Sequence, residues 1–264
     1  MSDTDPFTPP KANVDAAATD EDWPLGEPRR VPIGNSWTWI ADGFRLFVKS
    51  PVFWIVNVVL YLIIISVLSL IPLISIAVYI INPIFQGGFM HSCRQLDDGD
   101  DMSVGDLFVG FSTKGAPLAA VGGLYLVGVI AIMLFVGVIA AIIYFSVGPE
   151  YFQALSETPD QIGLLVILGV LVVMALAIPL AMAIWFAPPL IMFHEIEVFD
   201  ALKMSFKGCW RNILPLVVYG LILFIILIIA AIPFGLGLFV VGPAAIATMY
   251  TAYKDIFVHH EQAA

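Results

Sequence analysis

The apolar positions of this chain fall into four long blocks. Asp, Glu, Lys and Arg are absent from the 44 residues between Lys49 and Arg94, the 35 between Lys114 and Glu150, the 34 between Asp160 and Glu195 and the 42 between Arg211 and Lys254. A membrane helix needs about 20 apolar residues to cross a hydrocarbon core of about 30 Å. The two shorter blocks each predict one helix and the two longer blocks each predict two. Pro72 and Pro233 fall near the middle of the longer blocks, where antiparallel helices require a turn. The pattern predicts six helices at roughly 52–71, 74–93, 117–146, 162–186, 213–232 and 235–257. Segments such as LYLIIISVL are apolar in every direction, unlike the alternating strands of a membrane β-barrel.

Shorter amphipathic segments precede some of these blocks. Trp37, Ile40, Phe44, Phe47 and Val48 recur at helical spacing, as do Phe199, Leu202, Phe206 and Cys209. Asp42 with Arg45, and Asp200 with Lys203, take the opposite faces. Ser103-x-x-Asp106 resembles a capping box and predicts a third short helix before residue 114. Helices of this kind lie in the membrane interface. Trp37, Phe44, Arg45 and Lys49 on the first, and Phe199, Lys203, Phe206 and Lys207 on the second, are the expected anchoring residues. Pairing residues 42–57 with 200–215 aligns Asp42 with Asp200, Arg45 with Lys203 and Lys49 with Lys207. Further on, Pro83 pairs with Pro243 and Arg94 with Lys254. Asp106, Phe108, Phe111 and Lys114 begin a weaker third copy that closes at Pro188–Pro189. The fold expected is all-α: three cytoplasm-to-cytoplasm hairpins, each preceded by a short interfacial helix, related as parallel repeats.

Charge sets the orientation. The eleven Lys and Arg residues all fall on one side of these helices, while the Pro72 turn, the 147–161 loop and the Pro233 turn hold none. The positive-inside rule then places both termini in the cytoplasm. Composition agrees with a membrane protein: 60% of residues are hydrophobic and only 12% charged, against about 25% charged in soluble domains. A net charge of −10 without a basic patch argues against nucleic-acid binding. Residues 1–34 are acidic and proline-rich and predict a disordered cytoplasmic tail. Trp23 is its candidate anchor for a protein partner. Residues 35–258 form the transmembrane domain and 259–264, including His259-His260, a short cytoplasmic end.

The chemistry is sparse. His194-Glu195 begins like a zinc-protease motif, but Val198 stands where the second histidine is needed. There is no GxSxG and no Walker A sequence. Two cysteines, Cys93 and Cys209, offer packing and no disulfide framework. No cofactor, metal or catalytic group is expected, and no enzyme. The predicted helices carry no intramembrane Asp, Glu, Lys or Arg of the kind that marks proton pathways. The deep polar groups collect beside prolines expected to interrupt the helices, at Asn82-Pro83 with Gln86-Gly87-Gly88 and at Gly242-Pro243. Asn57, Tyr61, Asn82, Pro83, Gln86 and Pro243 are therefore the candidate lining of a ligand cavity.

The segments WTWIADGFRLF (37–47), PVFW (51–54), WFAPPLIMF (185–193), ALKMSFKGCWRN (201–212) and YTAYKDIF (250–257) resemble a family of uncharacterised bacterial inner-membrane proteins with six spanning helices. They are also similar to the membrane domain attached to some bacterial glycerophosphodiester phosphodiesterases. The resemblance covers residues 35–257 and implies a bacterial cytoplasmic-membrane location. It carries no activity, and the acidic and histidine ligands of a phosphodiesterase domain are missing. The function expected is a scaffold or assembly role in the bilayer, with the acidic tail or the interfacial helices as protein-binding surfaces. The alternative is a small-solute permease or lipid-handling protein working through the proline-bearing helices.

Overall fold

A computed structural model describes residues 24–148 and 159–258. Trp23 and the rest of the acidic tail before Pro24, most of the 147–161 loop and His259-His260 lie outside the described residues. The chain forms α1 (Asn35–Lys49), α2 (Pro51–Ser69), α3 (Pro72–Asp98), a 3-10 turn (Gly105–Phe108), α4 (Val109–Thr113) and α5 (Gly115–Val147). It continues with α6 (Pro159–Trp185), α7 (Ala187–Phe193), α8 (Val198–Arg211), α9 (Ile213–Ala231) and α10 (Leu238–Phe257). Among the described residues there is no strand, only an isolated bridge between Leu25 and Val258.

Four stretches are long and apolar enough to cross a membrane: α2, α5, Val166–Phe193 and α9. The other two expected helices form as α3 and α10, but their C-terminal halves are more polar. Gln86, His91, Arg94 and Asp97 punctuate α3, and Thr248, Lys254 and Asp255 punctuate α10. Pro72 is the first residue of α3, where its missing N–H costs nothing. The second turn, after α9, bends through positive φ at Phe234 and Gly235.

The expected interruptions of two helices do not occur. α3 runs unbroken through Asn82-Pro83 and Gly87-Gly88, and α10 through Gly242-Pro243. A proline removes one hydrogen bond, and the carbonyl it frees can be met by a neighbouring helix. At Pro83 that carbonyl belongs to Tyr79, and α5 approaches it so closely that a Cβ on Gly122 would lie 2.3 Å from the Tyr79 oxygen.

Each short helix rests on the last long helix of the unit before it. The 3-10 turn and α4 pack on α3, α8 packs on α6, and α1 closes the ring by packing on α10. The crossings fall just past the helix prolines and are kept tight by small residues. A Cβ on Gly110 would lie 2.3 Å from the Ile84 carbonyl oxygen, and one on Gly43 would lie 2.6 Å from Thr248. At the third crossing the buried Ser205 hydroxyl donates to the Met182 carbonyl at 2.7 Å. These contacts correct the repeat register. The buried faces of α1 and α8 superpose when Trp39 is matched with Ala201, Gly43 with Ser205 and Phe47 with Cys209. The pairing of Asp42 with Asp200 is one helical turn away. Those charges do form matching i,i+3 ion pairs, Asp42–Arg45 and Asp200–Lys203. They lie on solvent-facing positions, and the buried face sets the register.

The core gathers at the end of the bundle that carries the basic residues. Trp39, Trp54, Phe85, Met90, Leu107, Leu118, Phe186, Leu190, Tyr250, Tyr253 and Phe257 are all buried there. Trp54 stacks on Phe89, and Phe186 meets Phe257 edge-on. Toward the other end the helices separate. Most large apolar side chains of α5 beyond Val127, of α6 from Val166 to Met174 and of α9 beyond Leu221 are exposed. An apolar surface this extensive requires lipid or a partner around it.

Candidate functional site

The polar residues of the basic end are organised around three side chains far apart in sequence. Asp255, in the last turn of α10, forms an ion pair with Arg29 at 2.5 Å. Its Oδ2 accepts from Asn35 Nδ2 at 2.7 Å and from Trp39 Nε1 at 2.8 Å. A buried indole N–H needs such an acceptor. Asp97, near the end of α3, accepts from Lys254 and from the Tyr250 hydroxyl. Asn212, buried between α8 and α9, uses both ends of its amide. Its oxygen accepts the Val31 N–H at 2.9 Å, and its nitrogen donates to the Arg29 and Gly208 carbonyls at 2.8 and 2.9 Å.

Two of these three groups grip a strap that precedes α1. Gly26 and Arg29 donate backbone N–H bonds to the carbonyls of Phe257 and Ile256. Arg211 donates to the Pro28 carbonyl at 2.6 Å, and Lys207 pairs with Glu27. The Lys207 hydrogen bond and charge hold the Glu27 carboxyl below its ordinary value. The expected disordered tail of residues 1–34 therefore has to be corrected over 24–34, which are fastened to the helical domain. Composition marked this segment as unable to build a core of its own. It needs none, because backbone groups and salt links tie it to α8, α9 and α10.

Between the strap, α1, α3 and α10 lies a cavity of about 430 Å³. Arg29, Arg45, Lys49 and Lys254 face Asp42, Asp97 and Asp255 across it. Of the expected anchoring residues, Arg45 and Lys49 line this cavity, while Trp37, Phe44, Phe199 and Phe206 present exposed aromatic surface. Lys203 and Lys207 make the ion pairs already given.

The residues expected to line a deep cavity are only partly brought together. The Tyr61 hydroxyl donates to Asn82 Oδ1 at 2.8 Å. Asn57 is buried and donates to the Ser103 carbonyl at 3.0 Å, but its Oδ1 has no partner, and neither does the nearby Trp54 Nε1. Pro83 and Pro243 are buried within their helices, and Gln86 is half-buried. The charged cavity is lined by none of these residues.

His194 and Glu195, side by side in sequence, face different partners. The His194 ring bonds the Tyr253 hydroxyl at 2.5 Å, and Glu195 pairs with Lys114 at 2.7 Å, which lowers its pKa. Burial pushes the Cys209 thiol up to about 12, which keeps it protonated and unreactive. Among the described residues, no three His, Cys, Asp or Glu side chains cluster closely enough to hold a metal.

Sequence reasoning missed Asn212, Asp255, Asp97 and the strap. The available signal was a carboxylate or amide at the margin of an otherwise uncharged block. Asp255 follows Lys254, the residue that closes the last block, and Asn212 opens that block.

The chain is 30% identical over 241 residues to a protein of Burkholderia thailandensis named a probable inner membrane protein, covering 86% of each chain. No family model and no solved structure matches it.

Proposed function

The chain belongs to the family of that Burkholderia inner-membrane protein, and on this premise we propose that it is a non-catalytic organiser of the cytoplasmic membrane. In this reading α2, α3, α5, α6, α9 and α10 cross the bilayer as three hairpins, and both termini are cytoplasmic. The strap, the three short helices and the charged cavity then form a cytoplasmic collar on which other components assemble. The observation that carries the reading is the pairing of Tyr61 with Asn82 at depth, set against the gathering of charged side chains at the basic end. Tyr61 is spent on Asn82, while the recess lined by charged side chains lies at the basic end. A solute pathway needs the opposite distribution.

Replacing Asn82 and Gln86 together by leucine tests this. The double variant should insert, and it should restore whatever growth or envelope defect follows deletion of the gene. A stably inserted double variant that fails to restore it would refute the organising role in favour of a permease or lipid-handling protein. That second reading draws on the unpartnered Asn57 Oδ1 and Trp54 Nε1, which leave hydrogen-bonding capacity at depth.

A further inference from the structure

Arg45 stands between two recesses on opposite sides of α1. One is the charged cavity. The other is a groove of about 440 Å³ between α1, α9 and α10, walled by Trp37, Ile40, Phe44, Leu223, Ile226 and Val241. Arg45 lines both. We propose that the pair of recesses holds one anionic glycerophospholipid, with an acyl chain in the groove and the phosphate at Arg45 and Lys49.

The groove has the chemistry of a chain site. Apart from Arg45 and Thr248 its lining residues are apolar, and Thr248 is already bonded to Tyr219. Along α10 it extends from Val241 to Thr248, about 10 Å at 1.5 Å per residue. Leu223 and Ile226 come from α9, one of the helices apolar enough to span a membrane, so the groove sits where acyl chains are available. Trp37, 60% exposed, is placed at its edge as an interfacial aromatic.

The charged cavity has the matching headgroup chemistry. Its three carboxylates are each engaged: Asp255 by Arg29, Asp97 by Lys254 and Asp42 by Arg45. Lys49 donates only to the Leu96 carbonyl, at 2.5 Å, and no carboxylate among the described residues neutralises it. One positive charge is left over. The Arg45 partnership with Asp42 is an exposed i,i+3 pair, with the arginine side chain 77% exposed, and such pairs are weak and screened. The guanidinium can therefore turn to a phosphate, which it fits in bidentate fashion. A zwitterionic headgroup would bring its own cation to a site already in positive excess.

The inference goes beyond the organising role and does not depend on it, because the Asn82 and Gln86 test touches neither recess. The full chain, purified in mild detergent, is challenged with phosphatidylglycerol, with phosphatidylcholine of the same chains and with glycerol phosphate. Retained lipid is measured by native mass spectrometry, and folding by thermal unfolding. Phosphatidylglycerol should be retained and raise Tm more than phosphatidylcholine does, and glycerol phosphate at equal concentration should do neither. Arg45→Gln with Lys49→Gln should cut phosphatidylglycerol retention by about tenfold and leave phosphatidylcholine unchanged. Leu223→Trp, which fills the groove and keeps both charges, should weaken both lipids. Equal retention of the two lipids by the native protein would overturn the proposal. So would a full effect of glycerol phosphate, which would mark a free-anion site, or native-like retention by Leu223→Trp.

Discussion

Asn212→Ala should release the strap while leaving the helices in place. The native amide makes three hydrogen bonds at 2.8–2.9 Å, two of them to strap backbone at Arg29 and Val31. A net hydrogen bond contributes about 1 kcal/mol, and a buried backbone group left without its partner costs more. Only the two strap bonds bear on opening, because the third, to Gly208, stays within the helical domain; their loss weakens the closed state by about 2 kcal/mol, equivalent to roughly a 30-fold rise in the open population. The strap carries its own reporter, because trypsin cuts after Arg29 and Arg30, both exposed. When opening is fast, cleavage follows the open population. The variant in detergent should lose its amino-terminal segment roughly 30 times faster than the native protein, with helical circular dichroism unchanged. Lys203→Ala, which removes only an exposed i,i+3 pair, should leave the rate alone. An unchanged rate for Asn212→Ala would refute the reasoning and assign the hold to Arg29–Asp255 and the backbone bonds of the strap.

Reporter fusions at residue 157 and after Ala264 should report opposite sides of the membrane; finding both on one side would break the three-hairpin topology. Gly110→Val should destabilise the bundle by about 1–3 kcal/mol through overpacking, read as a lower Tm in detergent, because its Cβ would strike the Ile84 carbonyl; the same change at Gly123, where the space is open, should cost far less. Glu27 is held below its ordinary value of 4.5, so its hold on Lys207 is complete above that pH and is lost as pH falls through the lowered value. A spin label on the strap should accordingly become more mobile in acid and regain order on neutralisation.

The helices were legible because hydrocarbon imposes a composition on anything that crosses it, and the uncharged blocks record that composition. The observed bounds of α2 and α9 lie within a residue or two of those read from the blocks. The polar organisation was less legible, for a reason of distance. Trp39 and Asp255 are 216 positions apart, and nothing in the neighbourhood of either marks the other as its partner. The register of the repeat was misread because charges on a wet face recur without much constraint. The positions that set it, Gly43 and Ser205, differ in residue type and share only a requirement for small size. Proline was overread as a break. Pro83 and Pro243 sit inside continuous helices, and at Pro83 a neighbouring helix closes on the carbonyl it frees.

The closure of the ring by α1 and α10 also sets an order of events during synthesis. The face of α1 that carries Trp39 and Phe47 can meet Tyr219 of α9 earlier, but it lacks its main partner, α10, until the last helix emerges, some 216 residues later. At about 5–20 residues per second, that is an interval of roughly 10–40 s. Throughout it the Trp39 face of α1 remains incompletely covered. A chain truncated before α10 never leaves that state, so an uncovered Trp39 face distinguishes an unfinished molecule from a complete one and offers quality-control proteases a target that the finished protein hides.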